Sequence, residues 1–374
     1  MIPFNVPSFD GDEVSYLTQA IDQGHTSGNG PFTKQAETIL ANLHDGGIVL
    51  LTSSCTHALE MAARLLDLQP GDEVIVPSYT FVSTASAFLW NGAKPVFADI
   101  RPDTLNIDPQ TVEDRITDRT KAICIVHYAG VGAEPDLFVD LAKRHHLVLI
   151  EDNAHGLGAK YRGQTLGTFG ALSTLSFHET KNVTCGEGGA LVINDASFVE
   201  RAEKLREKGT DRSLFMRGQV NKYTWVDVGS NWVMSDLLAA VLLGQLERFH
   251  EIQERRQYLW HRYLEGLSEW AKANEINLPF VPVEAEHSAH IFYLRLQSQD
   301  KRDRFINHMR RRGIGTVFHY QALHASPVGK SLGNHSNCPT STSTAETLVR
   351  LPLFMSMTEI QQDQVIDAVR AFPR

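Results

Sequence analysis

Two short stretches carry residue types that could do chemistry together. Ser176-Phe177-His178-Glu179-Thr180-Lys181-Asn182 follows an apolar, strand-like run from Ala171 and ends on a lysine. Gly186-Glu187-Gly188-Gly189 and a second strand-like run, Ala190-Leu191-Val192-Ile193, come next. A lysine flanked by buried strands loses hydration, which disfavours the ammonium form and makes the amine nucleophilic. That suits a lysine that condenses with a carbonyl group, although a solvated loop lysine would read the same from this stretch alone. The second stretch, Leu147-Val148-Leu149-Ile150, reads as a buried parallel strand and runs into Glu151-Asp152-Asn153-Ala154-His155. Ligands of open α/β sheets lie at the carboxyl ends of strands, so Asp152 is expected to point into a site. An aspartate there can keep the pyridine nitrogen of pyridoxal phosphate (PLP) protonated while a lysine holds the aldehyde.

The elements needed to position these groups are legible along the chain. Strands are expected at Ile48 to Thr52, Asp72 to Pro77, Pro95 to Ala98 and Ala122 to Val126, alternating with helices near His57 to Leu68 and Pro135 to Arg144. Such alternation predicts βαβ units and a mostly parallel sheet with right-handed crossovers. Ser53-Ser54-Cys55-Thr56 lies between a strand and a helix, where small hydroxyl residues cap the helix and free N–H groups can hold an anion. An amphipathic helix is expected from Asp10 to Gln23, with an irregular segment from Gly24 to Pro31. Another helix is expected from about Phe198 to Lys208, followed by a basic loop with Arg212, Arg217 and Lys222. Ser235 should cap a long helix with Leu238, Val241, Leu242, Leu246 and Phe249 at helical spacing. The division is expected at a large domain, residues 1–249, and a smaller α+β domain, residues 250–374. The smaller one would hold a strand at Ile291 to Leu296, a helix from Asp303 to Arg311, a strand at Gly315 to Val317 and a final helix from Thr358 to Phe372. Gly333 to Ser343 reads as a polar loop.

Composition excludes several classes. With 374 residues, 42% hydrophobic and 21% charged, the chain has the make-up of a water-soluble globular protein. A net charge of −9 argues against a nucleic-acid surface. The four cysteines, Cys55, Cys124, Cys185 and Cys338, are widely spaced without a CxxC, which fits reduced thiols and a cytoplasmic setting. No signal peptide and no apolar run of membrane-spanning length are seen. The 16 histidines show no HExxH and no zinc spacing, so no metal is expected. The turn after the first strand lacks a Gly-x-Gly-x-x-Gly and no P-loop is present, which disfavours a dinucleotide enzyme and a P-loop kinase.

Glu151 to His155 together with Ser176 to Lys181 resemble the sugar-nucleotide aminotransferases, a PLP family, and the resemblance runs over nearly the whole chain. It implies an α/β, aspartate-aminotransferase-like architecture (PLP fold type I). Met1 to Asn5, Pro77 to Thr84, Val126 to Gly130, Arg206 to Thr210 and Leu351 to Phe354 resemble in particular a member that aminates a dTDP-linked 4-oxo-6-deoxyglucose. L-Glutamate would then be the amino donor. The residues themselves leave the nucleotide, amination at C4 or C3, and a gluco or galacto product open; the dTDP-4-oxo sugar is implied by resemblance alone.

The same resemblance implies roles. Lys181 would be the catalytic lysine that binds PLP, and Asp152 the partner of the ring nitrogen. His155 would bond the phenolic oxygen, and Phe81 would stack on the ring. Ser176, Cys55, Thr56 and, from the neighbouring subunit of a homodimer with shared sites, Asn231 would hold the phosphate. Cys55 stands where the family commonly has glycine, and Val233 where it has arginine. Lys222, Tyr223, His319 and Tyr320 would lie near the substrate. A branch of the family that dehydrates its substrate carries histidine in place of the lysine, so Lys181 favours transamination. A non-catalytic sugar-binding protein would have no use for the Lys181 and Asp152 pair.

Overall fold

A computed structural model describes residues 1–333 and 337–373. Its central sheet has seven strands: β1 (Ile48–Thr52), β2 (Glu73–Pro77), β3 (Lys94–Ala98), β4 (Thr120–Val126), β5 (Val148–Asp152), β6 (Leu172–Ser176) and β7 (Gly189–Ile193). Their spatial order is β1-β7-β6-β5-β4-β2-β3, and only β7 runs against the others. Both faces of the sheet are covered, which is why these strands read as near-continuous apolar runs. Leu50, Val74, Cys124 and Ile150 pack on one face with Leu59 and Phe88 from the helices Cys55–Leu65 and Val82–Trp90. Val49, Leu51 and Leu175 face the other side, against Leu242 and Leu246 of the helix Asp236–Glu247. Ile123, Ile125 and Leu149 meet Phe138 and Leu141 of the helix Pro135–His145 there. The side-chain alternation of each strand thus feeds two cores in a three-layer fold.

Strand register assembles one edge of this sheet. Thr52 pairs with Gly189, Gly189 with Ser176, and Val126 with Asp152, while Asp152 pairs with Thr174. The carboxyl ends of β1, β4, β5 and β6 therefore lie together, where open α/β sheets bind ligands.

A second core is built on the helix Phe249–Ala273. Trp260, Tyr263 and Leu267 pack against Phe292 and Leu294 of β8 (Phe292–Arg295), Val349 and Leu351 of β10 (Leu348–Leu351), and Val365 and Val369 of the helix Glu359–Arg370. With β9 (Val317–Phe318), these strands form an antiparallel sheet in the order β8-β10-β9. Ile2 belongs to this core as well. Its N–H donates to Gly313 O at 2.7 Å and its carbonyl accepts from Gly315 N at 2.8 Å, so the chain starts on the C-terminal unit. We propose the junction at Arg248–Phe249 as the domain boundary, with the N-terminal segment added to the smaller domain.

Two expectations fail. The helix capped by Ser235 ends at Glu247, and Phe249 begins the next one. The stretch from Gly333 to Ser343 is not all loop: a helix spans Pro339–Thr347, while residues 334–336 lie outside the described residues. The cause is remote in sequence. Asp99, just beyond β3 and buried, accepts from Thr340 N at 2.9 Å, Ser341 N at 2.8 Å and Ser341 Oγ at 2.7 Å. A carboxylate satisfies the free N–H groups of the first turn and favours the positive end of the helix dipole, while Pro339 needs no acceptor there. Replacing Asp99 with alanine strands buried donors, so Asp99→Ala should destabilise the fold by about 3 kcal/mol in urea titration, and Asp99→Asn by less.

Candidate active site

A cavity of about 470 Å³ opens at the shared strand edge. Of the residues expected at a site, it gathers Cys55, Thr56, Phe81, Asp152, His155, Ser176, Lys181, His319 and Tyr320. Lys181 sits on the connection between the antiparallel strands β6 and β7. Phe177 N bonds Gly188 O at 2.8 Å, Glu179 N bonds Gly186 O at 2.9 Å and Lys181 N bonds His178 O at 2.9 Å, so the connection is a tight hairpin. Gly186 turns it with a φ of +88°, in the left-handed region that favours glycine. The residue after Lys181, Asn182, ties the hairpin to the C-terminal unit. Its Nδ2 donates to Ser288 O at 2.7 Å and Gln253 Oε1 at 3.1 Å, and its Oδ1 lies 2.9 Å from His290 Nδ1. A glycan on the Asn182-Val183-Thr184 sequence would take one Nδ2 hydrogen and so cost at least one of the two Nδ2 contacts.

Burial lowers Lys181 from the usual 10.5 to about 8, and Arg350 adds to this, while Cys55 and Asp152 oppose it. Asp152 is pushed up by burial. The Thr84 hydroxyl at 2.7 Å from Oδ2, the Ala154 N–H at 3.2 Å from Oδ1 and the charge of Lys181 partly reverse that. Thr84 was not expected at the site; it lies one helical turn beyond Thr80, to whose hydroxyl it also bonds at 2.9 Å. His155 is neutral, since burial takes it well below 6.5. Its Nδ1 accepts from Ala129 N at 3.3 Å, which leaves Nε2 carrying the proton as a donor; Tyr320 Oη lies 3.4 Å from it. Phe81 lines the cavity yet is 55% exposed, with its ring 6.0 Å from that of Tyr320. Its free face is available to a flat ligand.

The turn after β1 is an anion cradle. The helix starts at Cys55, two residues before the expected His57, because Ser54 caps it by accepting from His57 N at 3.1 Å. The N–H groups of Cys55 and Thr56 are then in the first turn, with no acceptor among the described residues. Gly189 lets β7 pass close by: a Cβ there would meet Cys55 N at 2.3 Å. The Thr56 hydroxyl, 2.8 Å from Ser83 Oγ, and Ser176 flank the same pocket. Free donors at one end, a carboxylate and an amine at the other, and an uncovered aromatic face fit the phosphate, pyridine ring and aldehyde of PLP.

Lys222, Tyr223 and Asn231 are not in the cavity. They lie exposed on the segment from Lys208 to Asn231, which folds back on itself through Val226 N to Gly209 O at 2.8 Å and Asp227 N to Gly209 O at 3.0 Å. Asn231 forms a backbone bridge with Glu207, and Val233 one with Thr52, which keeps this segment beside the end of β1 but on the outside. Val233 fills the space over Gly28, where any Cβ would clash with it. Two cavity residues escaped sequence reasoning: His290, whose ring lies 4.3 Å from that of His155, and Arg350. Arg350 had a visible signal, as the lone charge in the apolar run from Leu348 to Leu353.

Comparisons with known proteins give the family. The profile of the DegT/DnrJ/EryC1/StrS aminotransferase family matches residues 7–370. Among solved structures, DesV from S. venezuelae, determined with a ketimine intermediate, is 32% identical, with 99% of this chain and 97% of that one covered and a TM-score of 0.89. The aminotransferase TlmJ from Streptoalloteichus hindustanus is 30% identical over 99% and 98% of the two chains, with a TM-score of 0.91. A putative sugar aminotransferase, Spr1654 from Streptococcus pneumoniae in its PMP form, is 28% identical over 100% and 99%, with a TM-score of 0.92.

The depressed Lys181 has a direct consequence. Competitive acylation of the apoprotein, read by peptide mass spectrometry, should show Lys181 reaching half its limiting reactivity near pH 8, whereas an ordinary lysine does so near 10.5.

Proposed function

Since the chain belongs to the DegT/DnrJ/EryC1/StrS aminotransferase family and is a PLP-dependent sugar aminotransferase, we propose that it aminates dTDP-4-oxo-6-deoxy-D-glucose. The product would be dTDP-4-amino-4,6-dideoxy-D-galactose, the donor L-glutamate, and the setting cytoplasmic synthesis of cell-surface polysaccharide such as lipopolysaccharide. The observation that carries the catalytic part is the convergence of Lys181, Asp152 and the free N–H groups of Cys55 and Thr56 on one cavity. The sugar and its nucleotide rest on the resemblance of Met1 to Asn5, Pro77 to Thr84 and Leu351 to Phe354. Among the described residues no helix is long and apolar enough to cross a membrane.

Pyridoxal phosphate, when bound, supplies an aldehyde that takes an amine and a ring that accepts an electron pair. Each residue's part follows from its place. Cys55 N–H, Thr56 and Ser176 would hold the phosphate, and Phe81 would cover the ring face. Asp152, kept in place by Thr84 and Ala154 N–H, would hold the proton of the ring nitrogen. The Nε2–H of His155 would donate to the phenolic oxygen. Lys181 would hold the aldehyde, and its free amine would carry a proton to and from the donor's Cα. Its depressed pKa suits that task, since near neutral pH an appreciable fraction is already a free base. Donor and sugar then use the same site in turn.

A homodimer is part of the proposal. Phe215, Met216, Tyr223, Trp225, Val226 and Val228 form an exposed apolar strip on the segment that ends at Asn231, which suits cover by a second copy. That copy would bring Asn231 to the phosphate and Lys222 and Tyr223 to the substrate.

Lys181→Ala should lose turnover by several orders of magnitude while still binding PLP non-covalently, with no cofactor retained after borohydride treatment and denaturation. The substrate is tested in a single turnover. Holoenzyme converted with excess L-glutamate and freed of it should regain its long-wavelength absorption on adding dTDP-4-oxo-6-deoxyglucose, with a C4 amino sugar seen by NMR. Conversion by glutamate without recovery on adding this sugar would retain the donor and refute the substrate.

A further inference from the structure

The tautomer of His155 is set from outside the cavity. A neutral His155 offers the cavity a donor only when its proton sits on Nε2, and that depends on what meets Nδ1. The group that meets it is the Ala129 N–H, at 3.3 Å. A backbone N–H can only donate, so Nδ1 must accept and the proton goes to Nε2. Among the described residues no other donor reaches Nδ1. Tyr320 Oη, 3.4 Å from Nε2, is the competitor. With the Ala129 N–H withdrawn, the Tyr320 hydroxyl is free to donate to Nε2, and the ring proton moves to Nδ1.

Ala129 reaches Nδ1 through a backbone that its side chain disfavours. Its φ of 60° and ψ of 9° lie in the left-handed region, and Gly130 follows with a φ of +77°. One side chain holds this reversal. Asn106 is buried between β3 and the helix Pro109–Glu113 and does not line the cavity. Its Oδ1 accepts from Tyr128 N at 2.8 Å, and its Nδ2 donates to the carbonyls of Val131 at 3.0 Å and Gly132 at 3.1 Å. Tyr128 N only donates and the two carbonyls only accept, so the amide has one orientation. Both ends of the turn are thereby fixed to one amide, and Ala129 and Gly130 reverse the chain between them. Asn106 is anchored in turn by Arg101 N, which donates to its carbonyl at 2.8 Å. From the smaller unit, Ser288 seats the turn against His155: its N–H donates to Gly130 O at 3.2 Å and its Oγ to His155 O at 2.5 Å.

We propose that Asn106 is a positioning residue for the reaction: by holding the turn from Tyr128 to Gly132 it aims the Ala129 N–H at Nδ1 of His155, and so keeps the Nε2 proton directed at the phenolic oxygen of the cofactor. This rests on the cofactor reading above and adds the residue that fixes His155 as a donor. The groups whose rings face His155, namely Tyr128, His290, His319 and Tyr320, are kept neutral by burial. Lys181 and Arg350 bear on it as cations and disfavour a second proton. What His155 offers is therefore decided by its tautomer, and the tautomer by a side chain that touches neither substrate nor cofactor.

Tautomer and colour can be read separately. With isotope-labelled histidine, long-range proton–nitrogen correlation spectra of apoprotein and holoenzyme should show His155 in the Nε2–H form, assigned by its absence from His155→Gln. Asn106→Ala releases the turn and should convert a measurable share to the Nδ1–H form. In the holoenzyme, a donor to the phenolic oxygen stabilises its negative charge and so favours the deprotonated chromophore. Asn106→Ala should therefore raise the pH midpoint of the long-wavelength absorption by about one pH unit, the scale of one hydrogen bond to a charged group. The amide of His155→Gln offers a donor without a tautomer, so in that background Asn106→Ala should leave the midpoint where it is. An equal shift in both backgrounds would reduce Asn106 to a structural part and overturn the proposal. So would an Nδ1–H form in the wild type, a reading that stands even where Asn106→Ala does not fold. A wild type that gains no long-wavelength absorption with PLP would refute the cofactor reading instead, and the apoprotein spectrum still decides the tautomer.

Discussion

An amine and a carboxylate are held in one cavity with little water between them, and the rest of the structure answers to that constraint. Burial drives both toward neutrality, Lys181 down to about 8 and Asp152 upward, and each one's charge offsets part of the other's penalty. The arrangement persists because the sheet supplies rigid positions for both. Asp152 ends a strand buried on both faces, and Lys181 rides a hairpin whose two strands are paired into the same sheet.

The strand that carries Asp152 shows how alternation divides labour between adjacent acids. Asp152 points to the cavity, while Glu151 points to the opposite face and is wholly buried there. Burial alone would raise Glu151. The His127 imidazole at 2.8 Å and the N–H groups of Gly170 at 2.7 Å and Gly167 at 2.8 Å outweigh it, bringing the carboxyl below its usual range. Those contacts clamp the segment that leads into β6, and so set where the lysine hairpin begins. One acid is structural and the next is chemical, by the two-residue period of a strand.

The cavity is also a joint between two cores. Lys181, Asp152 and the anion cradle come from the large sheet, whereas His290, His319, Tyr320 and Arg350 come from the smaller unit. Asn182 bonds across the two, so the lysine is held by both. The cavity lining brings the cations Lys181 and Arg350 together with the carboxylates Asp152 and Glu187.

Local pattern was enough for the main sheet, because apolar runs of strand length between helical stretches have few alternative readings. The same runs led to Lys181 and Asp152: each follows directly from a strand, and the strand end determines where it faces. Cys55 and Thr56 were legible because capping is a local matter. The helix from Pro339 was not, since the carboxylate that supports it, Asp99, is more than two hundred residues away. Arg350 and Thr84 were missed for a related reason. Their sequence neighbours look like ordinary strand and helix, and only packing of the smaller unit over the sheet edge brings Arg350 to the amine, or sets Thr84 2.7 Å from Asp152. Lys222, Tyr223 and Asn231 mark the opposite case. Resemblance gave Asn231 to the neighbouring subunit's site and Lys222 and Tyr223 to the substrate, and within one chain all three lie outside the cavity. The sequence by itself thus determined the strands, the lysine, the aspartate and the cradle, since each depends on bonds within a few residues. Which groups share a cavity, and which charge is left without a partner, was decided by tertiary structure, because desolvation and counter-charge are properties of what surrounds a residue in space.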